Sequence, residues 1–256
     1  MFPLRDDNPT LGTSLVTFLI IGVNVLVWIF VQKLGSHIPL AASLCRFGLI
    51  PAELLGTAAP GTLIPLGDGL ACVLAPDGSG WSVLTSMFMH GGWFHLIGNM
   101  WFLAVFGDNV EDALGSARFL LFYLLCGVAA AALQVATDPG STVPMVGASG
   151  AIGGVMGAYA ALFPRAPVHI LVFFGFFFTR FVVPAIFMLG YWFLIQILGG
   201  LPALAGASGG IAFWAHIGGF GAGVILGRLL CNSQRVAACR DRRGRTERLV
   251  QRLRSR

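Results

Sequence analysis

Three short segments carry side chains that could do chemistry together. Ser149 lies in Val146-Gly147-Ala148-Ser149-Gly150-Ala151-Ile152-Gly153-Gly154-Val155-Met156-Gly157, and His216 lies in Trp214-Ala215-His216-Ile217-Gly218-Gly219-Phe220-Gly221-Ala222-Gly223. His95 precedes Asn99 by one helical turn in Trp93-Phe94-His95-Leu96-Ile97-Gly98-Asn99-Met100. A hydroxyl, an imidazole and two further polar groups are the parts of acyl transfer: a nucleophile, a base that takes its proton, and donors for an oxyanion. The plain reading of Ser149 is a helix N-cap, because a serine oxygen satisfies an orphan amide at a helix start. The chemical reading is that Gly147 and Gly150 allow a tight turn, leaving the hydroxyl at a positive helix terminus beside free amide donors. The stretch alone leaves both readings open. A soluble α/β-hydrolase is not indicated, since the pattern is Gly-Ala-Ser-Gly rather than Gly-x-Ser-x-Gly and no strand is expected before it.

Composition bounds what can position these groups. The chain has 256 residues, of which 56% are hydrophobic and 11% charged, whereas a soluble domain is about 25% charged. A polytopic membrane protein follows. The net charge of +5 is concentrated in Arg235, Arg240, Arg242, Arg243, Arg245, Arg248, Arg252, Arg254 and Arg256. After an apolar span, such a tail reads as the cytosolic side in contact with anionic lipid rather than as a nucleic-acid site. The cysteines Cys45, Cys72, Cys126, Cys231 and Cys239 have no metal spacing. A metal held by His90, His95 and His216 is not expected either, because His-Glu-x-x-His is absent and the spans supply no carboxylate. No cofactor is indicated.

Hydrophobic runs place the spans. Residues 1–12 read as a polar cytosolic segment without the basic start of a signal peptide. Thr13 to Val31 is the first span, and 33–86 is a long outer loop broken by prolines and glycines, with short interfacial helices around Ala41 to Leu55. The second span runs from Met87 to Gly107, ending at Asp108, Glu111 and Asp112, and the third from Ala117 to Ala136. The fourth, Ser149 to Phe163, is too short for a hydrocarbon layer of about 30 Å, so its serine end should lie below the outer surface, with the Pro139 to Ala148 loop lining a cavity. The apolar run Val168 to Leu198 is divided by Arg180 and Pro184, which puts an interfacial segment at Phe173 to Phe178 and the fifth span at Val182 to Gly199. After the loop Gly199 to Gly210 the sixth span reaches Leu230. The membrane domain is thus 13–230, followed by a basic cytosolic tail, 231–256. Six spans put both termini on the cytosolic side and the Ser149, His95 and His216 ends toward the outer face.

Polar groups inside spans are costly, so His216 is by default a functional residue with Ser149 as its expected partner. His95 and Asn99 share a helix face, and interhelical hydrogen bonding is their plain alternative. Gly219 and Gly223 form a small-xxx-small face, matched on span four by Gly150, Gly153, Gly154 and Gly157, which permits close helix approach. The combination points to a serine and histidine dyad with His95 and Asn99 donating toward the oxyanion. No Asp or Glu within the spans is available to orient the histidine.

These residues resemble the rhomboid family of intramembrane serine proteases. The resemblance rests on the Pro3-Leu4-Arg5-Asp6-Asp7-Asn8-Pro9-Thr10 start, His95-x-x-x-Asn99, Gly147-Ala148-Ser149-Gly150, and Ala215-His216-x-x-Gly219-x-x-x-Gly223. It implies an all-α, six-helix rhomboid-type bundle in a prokaryotic plasma membrane, with Ser149 as nucleophile and His216 as general base. It further implies an oxyanion site made of the Ser149 amide, His95 and Asn99, and substrates that are single-span membrane proteins cut near small residues. Two positions depart from the family pattern. Trp81-Ser82 stands where many members carry Trp-Arg, and Gly153 stands where some carry a tyrosine stacked on the histidine. Histidine positioning then falls to other packing, with Trp214 and Phe220 as candidates. The alternative is an inactive relative that binds and escorts membrane proteins, although such relatives typically lack the Ser or His. A six-span transporter would show charged residues or broken helices in corresponding halves, and no such pair is found.

Overall fold

A computed structural model of the chain describes residues 2–67, 69–74, 80–174, 177–204 and 211–254. In order they form β1 (Phe2–Asp6), α1 (Leu15–Phe30), α2 (His37–Phe47), α3 (Pro51–Leu54), β2 (Leu63–Gly67), β3 (Leu70–Val73) and α4 (Ser82–Thr85). Then come α5 (Trp93–Leu114), α6 (Ser116–Thr137), α7 (Ser149–Leu162), β4 (Pro167–Phe174), β5 (Phe177–Pro184), α8 (Ala185–Leu204), α9 (Phe213–Leu230) and α10 (Ser233–Arg254). Among the described residues α6, Ala185–Pro202 of α8, and α9 are long and apolar enough to cross a membrane, and α1 and α7 are shorter apolar helices. The molecule is mostly helical, with α7 at its centre. Every residue of α7 from Gly150 to Ala160 is buried, as expected of a helix apolar on all sides and enclosed by its neighbours.

The expectation of an all-α chain is corrected by two small antiparallel sheets. Strands β1, β4 and β5 pair in that spatial order, with Phe2 opposite Leu171 and Pro167 opposite Pro184. The fifth helix therefore starts at Ala185 rather than at Val182, and the segment at Phe173 to Phe178 belongs to a hairpin whose residues 175–176 lie outside the described set. Val168, Ile170, Val172, Val182 and Val183 are β-branched, and such residues fit a pleated surface better than a helix. The expected loop from Gly199 to Gly210 is corrected as well: the chain stays helical in α8 as far as Leu204, and residues 205–210 lie outside the described set.

The second span also differs from its expected boundaries. Ser86–Phe88 is a separate 3₁₀ turn, and α5 begins at Trp93 and passes through the acidic cluster to Leu114. The carboxylates do not end the helix because they have partners. Glu111 accepts from the amides of Val16 and Thr17 at 3.0 and 2.8 Å and from the hydroxyls of Thr17 and Ser116 at 2.8 and 2.6 Å. Asp112 accepts from the Leu11 amide at 2.5 Å. An anion at the first turn of α1 neutralises orphan N–H groups and the positive end of the helix dipole.

The long loop is more structured than its prolines indicate. Cys45 of α2 and Cys72 of β3 form a disulfide with Cα atoms 5.4 Å apart, while Cys126, Cys231 and Cys239 are free. The basic tail is helix α10, tied to the bundle where Arg235 donates to Asp112 O at 3.1 Å and Arg240 to Leu162 O at 2.9 Å.

Candidate active site

Gly147 fixes the local geometry before α7. Its φ of +124° is in the region that favours glycine, and a Cβ there would lie 2.7 Å from His95 Nε2. The N-cap of α7 is Ala148, and no side chain caps the helix. Ser149 is the first helical residue, and its Oγ lies 2.8 Å from His216 Nε2 of α9. The plain N-cap reading of the serine therefore does not describe this chain.

The approach of the two helices rests on their glycines. A Cβ on Gly219 would run into the carbonyl oxygen of Gly150, and one on Gly223 into that of Gly154. At Gly157 it would run into Phe220 O, while at Gly153 it would stand 3.0 Å from His216 O. Backbone atoms cannot swing aside as a flexible side chain can, so larger residues would force the helices apart. The start of α9 is also held by α6, where Gln134 Oε1 accepts from the Ala215 amide at 3.2 Å.

The 139–148 loop runs without helical hydrogen bonds beside the serine, and neighbouring backbone replaces them. Leu49 and Met145 exchange bonds of 3.0 and 2.8 Å, the Ala52 amide donates to Ser141 O at 3.0 Å, and the Gly147 amide to Ser86 O at 2.9 Å. Non-helical backbone inside a membrane protein needs such internal partners or a cavity. Both are present. The loop contributes Ser141, Val143 and Met145 to a cavity of about 630 Å³ whose wall also includes Ser149, His216 and Asn99.

Two further groups face this cavity from α5. The Gly91 amide donates to His95 Nδ1 at 3.3 Å, which leaves the ring hydrogen on Nε2, the nitrogen beside Gly147 and the serine. Asn99 is buried, and its Nδ2 has no hydrogen-bond partner among the described residues. An amide donor without a partner is costly to bury. His90 lies in the turn before α5, its ring edge-on to that of His95 at 5.1 Å. Among the described residues no three His, Cys, Asp or Glu side chains group as metal ligands do.

The surroundings of His216 differ from expectation. Trp214 turns away and donates to Gly200 O at 3.2 Å, and Phe220 stacks on Phe193 at 4.5 Å. The ring beside His216 is Trp192 of α8, with centroids 5.7 Å apart. Gln196, one turn further along α8, brings its Oε1 to 2.8 Å from His216 Nδ1. Sequence reasoning missed both. The available signal was a lone amide in the apolar run Ala185 to Leu198, where polar side chains need interhelical partners.

A hydroxyl in contact with an imidazole, at a helix N-terminus and sharing a cavity wall with two further polar side chains, is equipped for acyl transfer. The rhomboid domain model matches residues 77–233, which contain all of these groups. The chain is 34% identical over 171 residues to the rhomboid protease GluP of Bacillus subtilis, covering 66% of this chain and 32% of that protein. It is 39% identical over 83 residues to the putative rhomboid protease YdcA of the same organism, covering 32% of this chain and 41% of that protein. With rhomboid protein 1, mitochondrial, of Saccharomyces cerevisiae it shares 30% over 168 residues, or 63% of this chain and 44% of that one. The matched stretches thus span less than half the length of these relatives. Bundled apolar helices and the domain match together make this a multi-pass integral membrane protein, and the chain belongs to the rhomboid family.

Proposed function

We propose that the protein is an intramembrane serine endopeptidase that cuts transmembrane helices of single-span membrane proteins. The 2.8 Å contact between Ser149 Oγ and His216 Nε2 carries this reading. Ser149 Oγ attacks the scissile carbonyl carbon while its proton passes to His216 Nε2. Negative charge then develops on the carbonyl oxygen, where the Ser149 amide, His95 Nε2–H and Asn99 Nδ2 donate to it. Collapse breaks the C–N bond, and His216 returns the proton to the leaving amine. Water, deprotonated in turn by His216, then hydrolyses the acyl-enzyme.

The orientation follows from the basic residues. Arg118 at the start of α6, Arg165 just after α7 and the first turns of α10 lie at the end of the bundle opposite Ser149, so we read both termini as cytosolic and the site as opening toward the outer face. With α1, α5, α6, α7, α8 and α9 as six spans, α7 is about 21 Å long at 1.5 Å per residue, short of a layer of about 30 Å. Its serine end therefore sits below the outer surface of what we take to be a prokaryotic plasma membrane. The net positive charge of α10 on that side suits a surface of anionic lipid.

Labelling with a fluorophosphonate probe, together with a cleavage screen of single-span membrane proteins, tests the reading. Wild type should be labelled and should cleave, and Ser149→Ala and His216→Ala should do neither while remaining folded, because nucleophile and base act as a unit. Equal labelling or cleavage by Ser149→Ala would reject it and leave an escort role as the alternative.

A further inference from the structure

We infer that Gln196 is the positioning residue for His216, selecting the ring tautomer that lets Nε2 act as the base. This rests on the protease reading above. A neutral imidazole has one N–H and one bare nitrogen, and the base needs the bare one toward Ser149. In soluble triads a carboxylate holds the other nitrogen protonated. Among the described residues no carboxylate contacts His216, but the amide of Gln196 does, and its own orientation is decided by a third group. Gln196 Nε2 lies 3.1 Å from Trp192 O, which can only accept. Turning the amide over would set oxygen against oxygen, so the NH₂ must face Trp192 and Oε1 must face the histidine.

Oε1 can only accept, and it is 2.8 Å from His216 Nδ1. The ring hydrogen is therefore on Nδ1, and Nε2 presents a lone pair to the serine hydroxyl at 2.8 Å. The polarity runs without a break from the Trp192 carbonyl through Gln196 and His216 to Ser149. Gln196 is 6% exposed, so water does not compete for its oxygen. The Trp192 ring lies against the imidazole from the same helix as Gln196. An amide does this without placing a second ionisable group inside the spans, where a charge is costly. His95 and Asp138 are the other titratable groups in the cavity wall.

The test measures fluorophosphonate inactivation across pH for wild type, Gln196→Met, Gln196→Glu and Ser149→Ala. Gln196→Met keeps the length of the side chain but lacks the acceptor, and kinact should fall roughly 10- to 100-fold, less than the roughly 10²- to 10⁴-fold that a general base supplies, because the base is misoriented rather than removed. KI should stay within about twofold, because the probe's ground-state contacts are untouched. Gln196→Glu keeps an acceptor and adds a charge beside the imidazolium, so it should retain more activity than Gln196→Met. The acid limb of its kinact profile should move up by about one pH unit or more. A kinact within about twofold of wild type in Gln196→Met, or an acid limb in Gln196→Glu that coincides with wild type, would overturn the inference. If Gln196→Met does not fold, the Gln196→Glu profile decides alone. Failure of wild type to label, or equal labelling of Ser149→Ala, would instead reject the protease reading itself.

Discussion

Gly219 of α9 lies against the carbonyl of Gly150 in α7, one residue after the serine, so that any Cβ on Gly219 would meet that oxygen. The contact sets how near His216 can come to Ser149. Replacing Gly219 with leucine should push the helices apart, since overpacking typically costs about 1 to 3 kcal/mol. Gly219→Leu is expected to insert into the membrane but to melt at lower temperature, with fluorophosphonate labelling of Ser149 falling in parallel. Ile217→Leu, a volume-conserving change in the same turn, should be nearly silent. Wild-type labelling and melting in Gly219→Leu would mean that the helix approach does not limit the site.

Asn99 separates catalysis from packing. Its Nδ2 is buried without a partner among the described residues, so Asn99→Ala removes an unsatisfied donor and should not destabilise the fold. As an oxyanion donor its loss should lower kcat by about 10²- to 10³-fold. His95→Ala should act in the same direction. A normal kcat with a lowered melting temperature in Asn99→Ala would assign the residue to structure alone.

The Cys45–Cys72 bridge ties α2 to β3 across a sequence separation of 27. Cross-links closing loops of this size typically contribute about 2 to 4 kcal/mol. Reduction, or Cys45→Ser, should lower the melting temperature while Cys126 and Cys239, both buried, stay protected from alkylation in the folded protein. Intact-mass measurement after alkylation with and without reductant checks the pairing. Full alkylation of Cys45 and Cys72 in protein never exposed to reductant would count against it.

Asp6 makes stability depend on pH at the opposite end of α7 from Ser149. The hydroxyl of Tyr159 donates to Asp6, and Asp7 and Asp108 are the neighbouring carboxyls. Burial, with a smaller push from Asp7, raises the Asp6 carboxyl from 3.8 to about 6 against the opposing Tyr159 hydrogen bond. The folded state therefore keeps a proton that the unfolded chain releases, and this contribution to stability is lost as pH rises from about 4 to about 6. Asp6→Asn keeps an acceptor for Tyr159 and removes the charge. Its melting temperature should vary less across that window and exceed wild type at pH 7. Parallel curves for the two proteins would show that Asp6 does not titrate in this range.

Much of the site is legible along the chain because polar side chains such as histidine are costly in an apolar span and glycines repeated at four-residue spacing mark close helix approach. Ser149, the glycine rows of α7 and α9, His95 with Asn99, and His216 each carry a local pattern, and hydrophobic run lengths place the helices that hold them. Run length could not tell the β4–β5 hairpin from a helix, because valine and phenylalanine are apolar in either and the arbiter is pairing with β1, more than a hundred and sixty residues away. Nor could Asp108, Glu111 and Asp112 show whether they end a helix or lie within one. That depended on the amides at the start of α1 arriving to donate to Glu111. Gln196 is the clearest case. Its sequence setting is one amide in an apolar helix, and its meaning comes from the histidine of α9 on one side and its own helix's carbonyl on the other. Composition and spacing determine which groups a membrane will tolerate and on which helices. Which of them meet is decided by helix packing, because hydrogen bonds reach only about 3 Å and contacts between distant segments leave no local mark.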